Sequence, residues 1–253
     1  MRDQYAALAG SYGYGEIDEM AIRKYAVTPT FLRVLGPVDG AEIVDLACGT
    51  GTYTRLLLAH GAARAVGVDV SAAMIAQARA LEPADGPRAE YRLDDVTSMA
   101  PVGEFDVVTA VFLLDHAADR RQLGLMCRTV AAHLRPGGRF EAVVPNPDFD
   151  FHGPNANDPR YGRTYEFGGS TRTRSAPQDG DIITVTLLLA TPVTIRRYHW
   201  SARTYRQALA DAGLQDVVFT PPQPTPEGID LLGNDFWTPF TDNPPAVLVT
   251  ARR

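Results

Sequence analysis

The chain has 253 residues, 45% of them hydrophobic and 21% charged, which suits one large buried core and excludes a disordered or fibrous protein. Its 30 Asp and Glu outweigh 24 Lys and Arg, for a net charge of -6, and no block of like charge builds the basic stripe that a nucleic-acid partner needs. Apolar runs fall far short of a membrane span, the N-terminus has no secretory-type apolar stretch, and Cys48 and Cys127 lack disulfide-framework or metal-ligand spacing. The expectation is a cytoplasmic monomer or homodimer with no membrane, nucleic-acid or metal partner.

Residues 16–35, EIDEMAIRKYAVTPTFLRVL, set Ile17, Met20, Ile22, Tyr25, Phe31, Leu32 and Leu35 along a helical face, with Pro29 as a break between two helices. After the Asp39-Gly40 turn comes AEIVDLA, a short buried-type strand, and then a glycine run. A helix follows over 52–60, closed by Gly61, and then a strand over 65–70. Ser71 caps a helix that stops before Pro83. Residues 91–93 form a short strand, and FDVVTAVFLL, 105–114, is the most strand-like run in the chain. Asp119 caps a helix through Leu134 that Pro136-Gly137-Gly138 ends, and RFEAVV is the next strand. Strands alternating with helices mean an α/β fold, a parallel sheet covered on both faces.

The rhythm changes beyond residue 145. Pro, Gly, Asn and Asp dominate 145–177, an excursion over the surface with one strand at 163–167. DIITVTLLLA and VTIRRYHW read as a strand pair, and Ser201 caps a helix ended by Gly213. LQDVVFT and AVLVTA are closing strands, and EGIDLLGNDFWTPFTDNPP between them reads as an aromatic flap. The organisation is one domain: a helical lid over 1–40, a cofactor-binding core over 41–145, a flap over 146–200, and the rest of the sheet with the aromatic segment over 201–253.

VDLACGTGTYTR, Val44 to Arg55, joins a strand to a helix N-terminus through glycines, a place where unpaired N–H groups and a positive dipole end receive anions. The P-loop is excluded, because Thr52 and Tyr53 stand where it needs a Lys. A dinucleotide fingerprint is weakened, because Thr54 stands where its third glycine belongs. Three acids follow in order: Asp45 before the glycines, Asp69 at the tip of the second strand, and Asp95 after the third. Asp69 in that place accepts two ribose hydroxyls, and Asp95 with the amide of Val96 pairs with an adenine edge.

VDLACGTGTYTR, VGVDVSAAMIAQAR, DDV, FDVVTAVFLLDHA and HLRPGG, in this order over roughly 40–145, resemble the class I S-adenosylmethionine-dependent methyltransferases. More narrowly, with RRYHWSARTYRQALADAGL and GNDFWTPF, the chain is similar to the toxoflavin-type small-molecule N-methyltransferases of bacterial secondary metabolism. The resemblance implies a doubly wound, mostly parallel seven-stranded Rossmann-like sheet, S-adenosyl-L-methionine as cofactor and S-adenosyl-L-homocysteine as product. It further implies that the backbone of Ala47, Cys48 and Gly49 approaches the methionine part, that Gly51 belongs to the same cofactor-binding loop, that Asp45 orders the loop, and that Asp69 takes the ribose. Val70 and Met74 would then lie beside the adenine, Asp95 and Val96 at its edge, Val111 under the methionine, and Tyr12 over the sulfonium, with Tyr5 part of the same pattern. Asp115-His116 departs from many relatives, so no shared base is inherited there.

Methyl transfer is an in-line displacement, so the protein contributes alignment, exclusion of water and, where needed, a base. His116, at the carboxyl end of the fourth strand, is the candidate base for an N–H or O–H nucleophile, against the alternative that it caps the next helix. His199 is the second candidate; His60, His133 and His152 read as solvent or helix-end residues. Tyr198, Trp200, Phe236, Trp237 and Phe240 are candidates for an aromatic box around a planar substrate, against plain core packing. Arg172, Arg174, Arg196 and Arg197 suit either an acidic substrate or a solvated strand face, and Cys48 reads as packing. The expected activity is methylation of N or O of a small planar heterocyclic metabolite. Carbon methylation, a nicotinamide-dependent reductase and a cofactor-binding protein without transfer activity stay open. Thr54 and the lack of a Tyr-x-x-x-Lys pair count against the reductase.

Overall fold

The alternation of side chains along each strand decides what each face of the central sheet touches. In this computed structural model, which describes residues 14–167 and 176–253, the parallel strands are β1 (Glu42–Leu46), β2 (Arg64–Asp69), β3 (Glu90–Leu93), β4 (Phe105–Val111) and β5 (Leu134–Pro145). A small antiparallel sheet comprises β6 (Arg163–Phe167), β7 (Ile182–Leu187) and β8 (Val193–Tyr198). β9 (Gln215–Thr220) and β10 (Ala246–Arg252) complete the large sheet, in the order β3-β2-β1-β4-β5-β10-β9, with β10 antiparallel to both neighbours. This is the seven-stranded, mostly parallel α/β architecture expected.

Val44, Leu46, Val66, Val68, Val108, Ala110, Ala142 and Val249 point to one face and pack against Leu123, Met126 and Val130 of helix Arg120–His133 and Tyr205 and Leu209 of helix Ala202–Asp211. Ile43, Ala65, Val107, Val143 and Leu248 point to the other, against Phe31 and Leu35 of helix Thr28–Leu35 and Tyr53 and Leu57 of helix Thr52–Ala59. Both faces are therefore dry, which is why these strands read as continuous apolar runs. The caps fall where the sequence places them: Ser71 accepts from the amide of Met74, Asp119 from Gln122 and Ser201 from Thr204. Pro29 does not separate two helices. It lies in the first turn of Thr28–Leu35, where its missing N–H removes no bond, and a π-helical turn, Arg23–Val27, leads directly into that helix.

Two segments differ from the sequence reading. Helix Arg120–His133 passes straight into β5, so Pro136-Gly137-Gly138 lies inside a strand rather than in a turn, and a register shift opposite Phe105 and Val107 absorbs the irregularity. Residues 226–242 are two helices, Pro226–Leu232 and Asn234–Asp242, not an open flap. Thr225 caps the first and Pro226 begins it, while Phe236, Trp237 and Phe240 bury one side of the second. Among the described residues no helix is long and apolar enough to cross a membrane.

One row across the apolar sheet is polar. Asp45, Thr109, Glu141 and Thr250 are successive register partners on β1, β4, β5 and β10. Asp45 accepts from Thr54 Oγ1 (2.7 Å) and Thr109 Oγ1 (2.9 Å), and burial nevertheless pushes its carboxyl up to about 6. Glu141, 1% exposed, has no hydrogen-bond partner among the described residues, and burial pushes it up to about 9. Glu141 is thus folded in its neutral form at pH 7, whereas the unfolded chain is ionised, so the folded state binds the extra proton and loses stability as pH rises from its unfolded value of 4.5 towards 9. Glu141→Gln removes that loss. In thermal melts the variant should match the parent near pH 4.5 and exceed it progressively up to pH 9, the difference in slope reaching about 1.4 kcal/mol per pH unit.

Candidate active site

The carboxyl ends of β1, β2 and β4 open into a cavity of about 250 Å³. Ligands of doubly wound sheets bind in this crevice because the strand ends diverge there and the following helices present their N-termini to it. Ala47 and Phe112, which follow β1 and β4, both sit in the cavity wall with positive φ, +60° and +58°. Such backbone costs about 1–3 kcal/mol per residue and persists only where its surroundings enforce it, most often at functional sites. Here Cys48 N–H donates to the carbonyl of Val68, and Phe112 N–H to that of Val143.

Asp69 joins two loops. Its Oδ2 accepts from the amide of Gly49 at 2.9 Å and its Oδ1 from that of Ser71 at 2.8 Å. Burial raises its pKa from the ordinary aspartate value, and those backbone donors oppose the rise. Each oxygen keeps a lone pair, so the carboxylate can accept two further hydroxyl protons from the cavity. Val70, next to it, leaves 43% of its surface exposed, and Met74 and Val96 lie in the same wall. Asp95 Oδ1 accepts from the amide and hydroxyl of Thr97, at 2.9 and 2.6 Å. Arg23 stacks on Tyr53, 5.2 Å from its ring centroid, beside Asp18 at 3.2 Å, and Thr52 Oγ1 donates to Asp18. These residues close the cavity over the start of helix Thr52–Ala59.

Of the residues singled out in the sequence, Asp45, Ala47, Cys48, Gly49, Asp69, Val70, Met74, Asp95, Val96, Val111 and His116 all line this cavity. Gly51 does not; it shapes the loop behind it, at φ +78°, where a Cβ would stand 2.3 Å from Tyr91 Oη and 2.8 Å from Arg55 Nη1. Cys48 packs against Gly67, and burial holds its thiol well above its usual range, which leaves it without thiolate character. Tyr12 and Tyr5, with Arg172 and Arg174, lie outside the described residues.

His116 ends a single 3₁₀ turn, Leu114–His116, after β4. Burial lowers its pKa, the adjacent Asp115 works against that and Arg197 adds to it, so the imidazole is neutral at pH 7. His199 is elsewhere: with Tyr198 and Trp200 it lines a small cleft behind Arg163 and Arg197. Trp200 is buried and donates to the carbonyl of Ala117.

Phe236, Trp237 and Phe240 do not reach the cavity. They pack edge to face at 4.8 and 5.4 Å, beneath Ile22, Ala26 and Tyr161. Trp237 Nε1 donates to the carbonyl of Gly228 at 2.7 Å, and Tyr161 Oη to that of Phe236 at 2.6 Å. Their polar flanks suggested exposure, but the flanks are helix ends and the aromatics are the covered face. The sequence reading also passed over Ile17, Met20, Phe112, Leu113, Leu187 and Arg163, which all line the cavity. Arg163 and Arg197 carry a legible signal, since each occupies a position that alternation turns toward the same face as Val185 and Ile195.

Residues 43–138 match the family model described as a methyltransferase domain. Over 111 residues the chain is 35% identical to the ubiquinone biosynthesis O-methyltransferase of Methylobacterium sp. (strain 4-46), covering 44% of this chain and 43% of that protein. Over 108 residues it is 35% identical to a trans-aconitate 2-methyltransferase of Azoarcus sp. (strain BH72), covering 42% and 40%. The match spans less than half the length of these curated relatives. The solved S-adenosylmethionine dependent methyltransferase from Mesorhizobium loti superposes with a TM-score of 0.64 at 25% identity, over 93% of this chain and 99% of that one. Residues 43–138 thus match a methyltransferase domain, and the chain shares its fold with a solved S-adenosylmethionine dependent methyltransferase.

The cavity residues fit S-adenosylmethionine: Asp69 offers free lone pairs for a ribose, Val70, Met74 and Val96 an apolar slot, and Arg23 a cation beside the glycine loop. The glycine loop gives a direct test. Gly51→Ala forces a Cβ into Tyr91 and Arg55 at a left-handed φ, whereas Gly40→Ala meets the same kind of φ, +70°, in open space. Gly40→Ala should lower stability by about 1 kcal/mol. Gly51→Ala should cost clearly more in denaturant melts and weaken S-adenosylhomocysteine in calorimetry, which Gly40→Ala should leave unchanged.

Proposed function

We propose that this protein transfers a methyl group from S-adenosylmethionine to a nitrogen or oxygen of a small-molecule acceptor, in the cytoplasm and in secondary metabolism of the toxoflavin type. The observation that carries the reading is the meeting, in one cavity, of the Asp69-tied glycine loop with a neutral His116. When bound, S-adenosylmethionine supplies an electrophilic methyl group on a sulfonium whose departure needs no further activation. What the chain adds is position and a proton acceptor. Asp69, Asp95 and the loop amides fix the cofactor end. Ile17, Met20 and Ile22, from helix Tyr14–Glu19 and the residues after it, act as a lid and exclude water from above. A ring nitrogen of His116 takes the proton that an N–H or O–H nucleophile sheds.

Charge asymmetry supports an acceptor distinct from nucleic acid. Among the described residues the aromatic side chains lining the cavity are Tyr53 and Phe112, so a planar heterocycle would rest on Phe112 rather than on the Trp237 cluster.

Calorimetric titration with S-adenosylmethionine, S-adenosylhomocysteine, NADH and NADPH tests the cofactor half of the reading. The first two should bind and the nicotinamides should not, and Asp69→Ala should weaken both by about 10-fold or more, a loss of about 1.4 kcal/mol or more. Binding of NADH alone would make the protein a reductase. For the chemistry, His116→Gln should lower kcat at least about 10²-fold with little change in cofactor affinity. In the parent enzyme kcat should fall with acid only below the ordinary imidazole range, because burial depresses the pKa of His116 and protonation removes the base. That acid limb should vanish in the variant.

A further inference from the structure

The small antiparallel sheet turns one face inward. Val185, Leu187, Val193 and Ile195 of β7 and β8 lie on that face, buried with Ile17. Two positions in the same alternation are arginines: Arg163 pairs in register with Leu187, and Arg197 with Ile183. Arg196, one residue away, points outward and is exposed. A guanidinium on an apolar, water-poor face is costly unless something compensates it.

Arg197 is compensated by the protein itself. Its Nε lies 3.4 Å from Oδ2 of Asp115, which is fully buried, and its guanidinium stacks 4.4 Å from the ring centroid of Phe112. Arg163 has no ion pair or hydrogen bond from its side chain to any described residue, and its Nε is inaccessible to solvent. It lines the main cavity together with Leu187, Pro245 and Ala246. The acids of the cavity, Asp45, Asp69 and Asp95, lie within β1, at the end of β2 and just after β3, whereas Pro245 and Ala246 stand at the start of β10, beside Pro145 at the end of β5. The cavity therefore gathers its three carboxylates at the ends of β1, β2 and β3, and Arg163 and Arg197 on the side of β10.

We propose that the methyl acceptor carries a carboxylate and that Arg163 receives it, with Arg197 held beside it by Asp115. The inference rests on the methyltransferase reading and narrows it to an acidic substrate class. A planar guanidinium suits a carboxylate because its N–H fork matches both oxygens. Phe112 and Leu187 then enclose the apolar body of the acceptor, and His116 lines the same cavity, within reach of a nucleophilic atom on that acceptor.

The test is calorimetry on the protein saturated with S-adenosylhomocysteine. The probes are benzoate, phthalate and trans-aconitate, with benzamide as the uncharged control. At least one carboxylate should bind and benzamide should not. Arg163→Gln should weaken the bound carboxylate about 10-fold or more, and Arg163→Lys should recover part of that loss. Both variants should keep the parent affinity for S-adenosylhomocysteine, which also shows that they are folded. If none of the three carboxylates binds the saturated protein, or benzamide binds equally well, the acidic acceptor is refuted while the methyltransferase reading stands. If Arg163→Gln weakens S-adenosylhomocysteine instead, Arg163 serves the carboxylate of the cofactor and the proposal falls. If S-adenosylhomocysteine fails to bind the parent protein, the methyltransferase reading itself fails and the proposal with it.

Discussion

The carboxylate of Asp69 is the joint on which the site depends. It accepts from the loop after β1 through Gly49 and from the loop after β2 through Ser71, so two segments 22 residues apart share one acceptor. An acceptor buried this far is affordable only because backbone N–H groups replace the water it has lost. The positive φ of Ala47 and the left-handed Gly51 follow from that joint, since the chain must leave β1, fold back under Asp69 and still enter helix Thr52–Ala59. Asp45 fixes the same helix from below through Thr54. The loop is rigid because both ends and its middle are hydrogen-bonded, and preorganised donors and acceptors lose little on meeting a ligand.

Electrostatically the interior is unusual for a chain of net charge -6. Asp45, Asp69, Asp115 and Glu141 are all buried, each with a different solution to the loss of water. Hydroxyls serve Asp45, backbone amides serve Asp69, an arginine serves Asp115, and a proton serves Glu141. The last is the least specific and the most sensitive to solution conditions. On the β10 side of the cavity, cationic side chains stand inside an acidic protein, so an anionic acceptor would be drawn by the local field and not by the molecule as a whole.

Much of this was legible because it rests on short-range rules. The glycine run, the acids at strand ends and the side-chain caps Ser71, Asp119 and Ser201 need only local spacing to be read. The seven-stranded order needed the family resemblance, since periodicity cannot say that β10 lies between β5 and β9. Helices 226–242 were missed because proline, glycine and asparagine signal both loops and helix boundaries. Thr225-Pro226 is a cap followed by a first-turn proline, and Phe236, Trp237 and Phe240 have the spacing of one helical face. Arg197 was legible in principle, as the charged member of the alternation Val193, Ile195, Arg197. The partnership with Asp115 was not, because it joins two sheets through a contact that no local pattern encodes.

The place of β10 also bears on how the chain reaches this structure. β10 pairs with β5 along its whole length, yet residues 146–245 separate the two strands. Until the last strand arrives, β5 presents an open edge of apolar residues, Phe140, Ala142, Val143 and Val144, to anything that can extend a sheet. Pairings of such long sequence separation close slowly, because the entropy of the intervening loop is lost before the contacts form. The five parallel strands therefore emerge from synthesis as a nearly complete half-molecule with one adhesive side. Completion of the sheet, rather than assembly of the cofactor loop, is the step during which this protein is most exposed to aggregation.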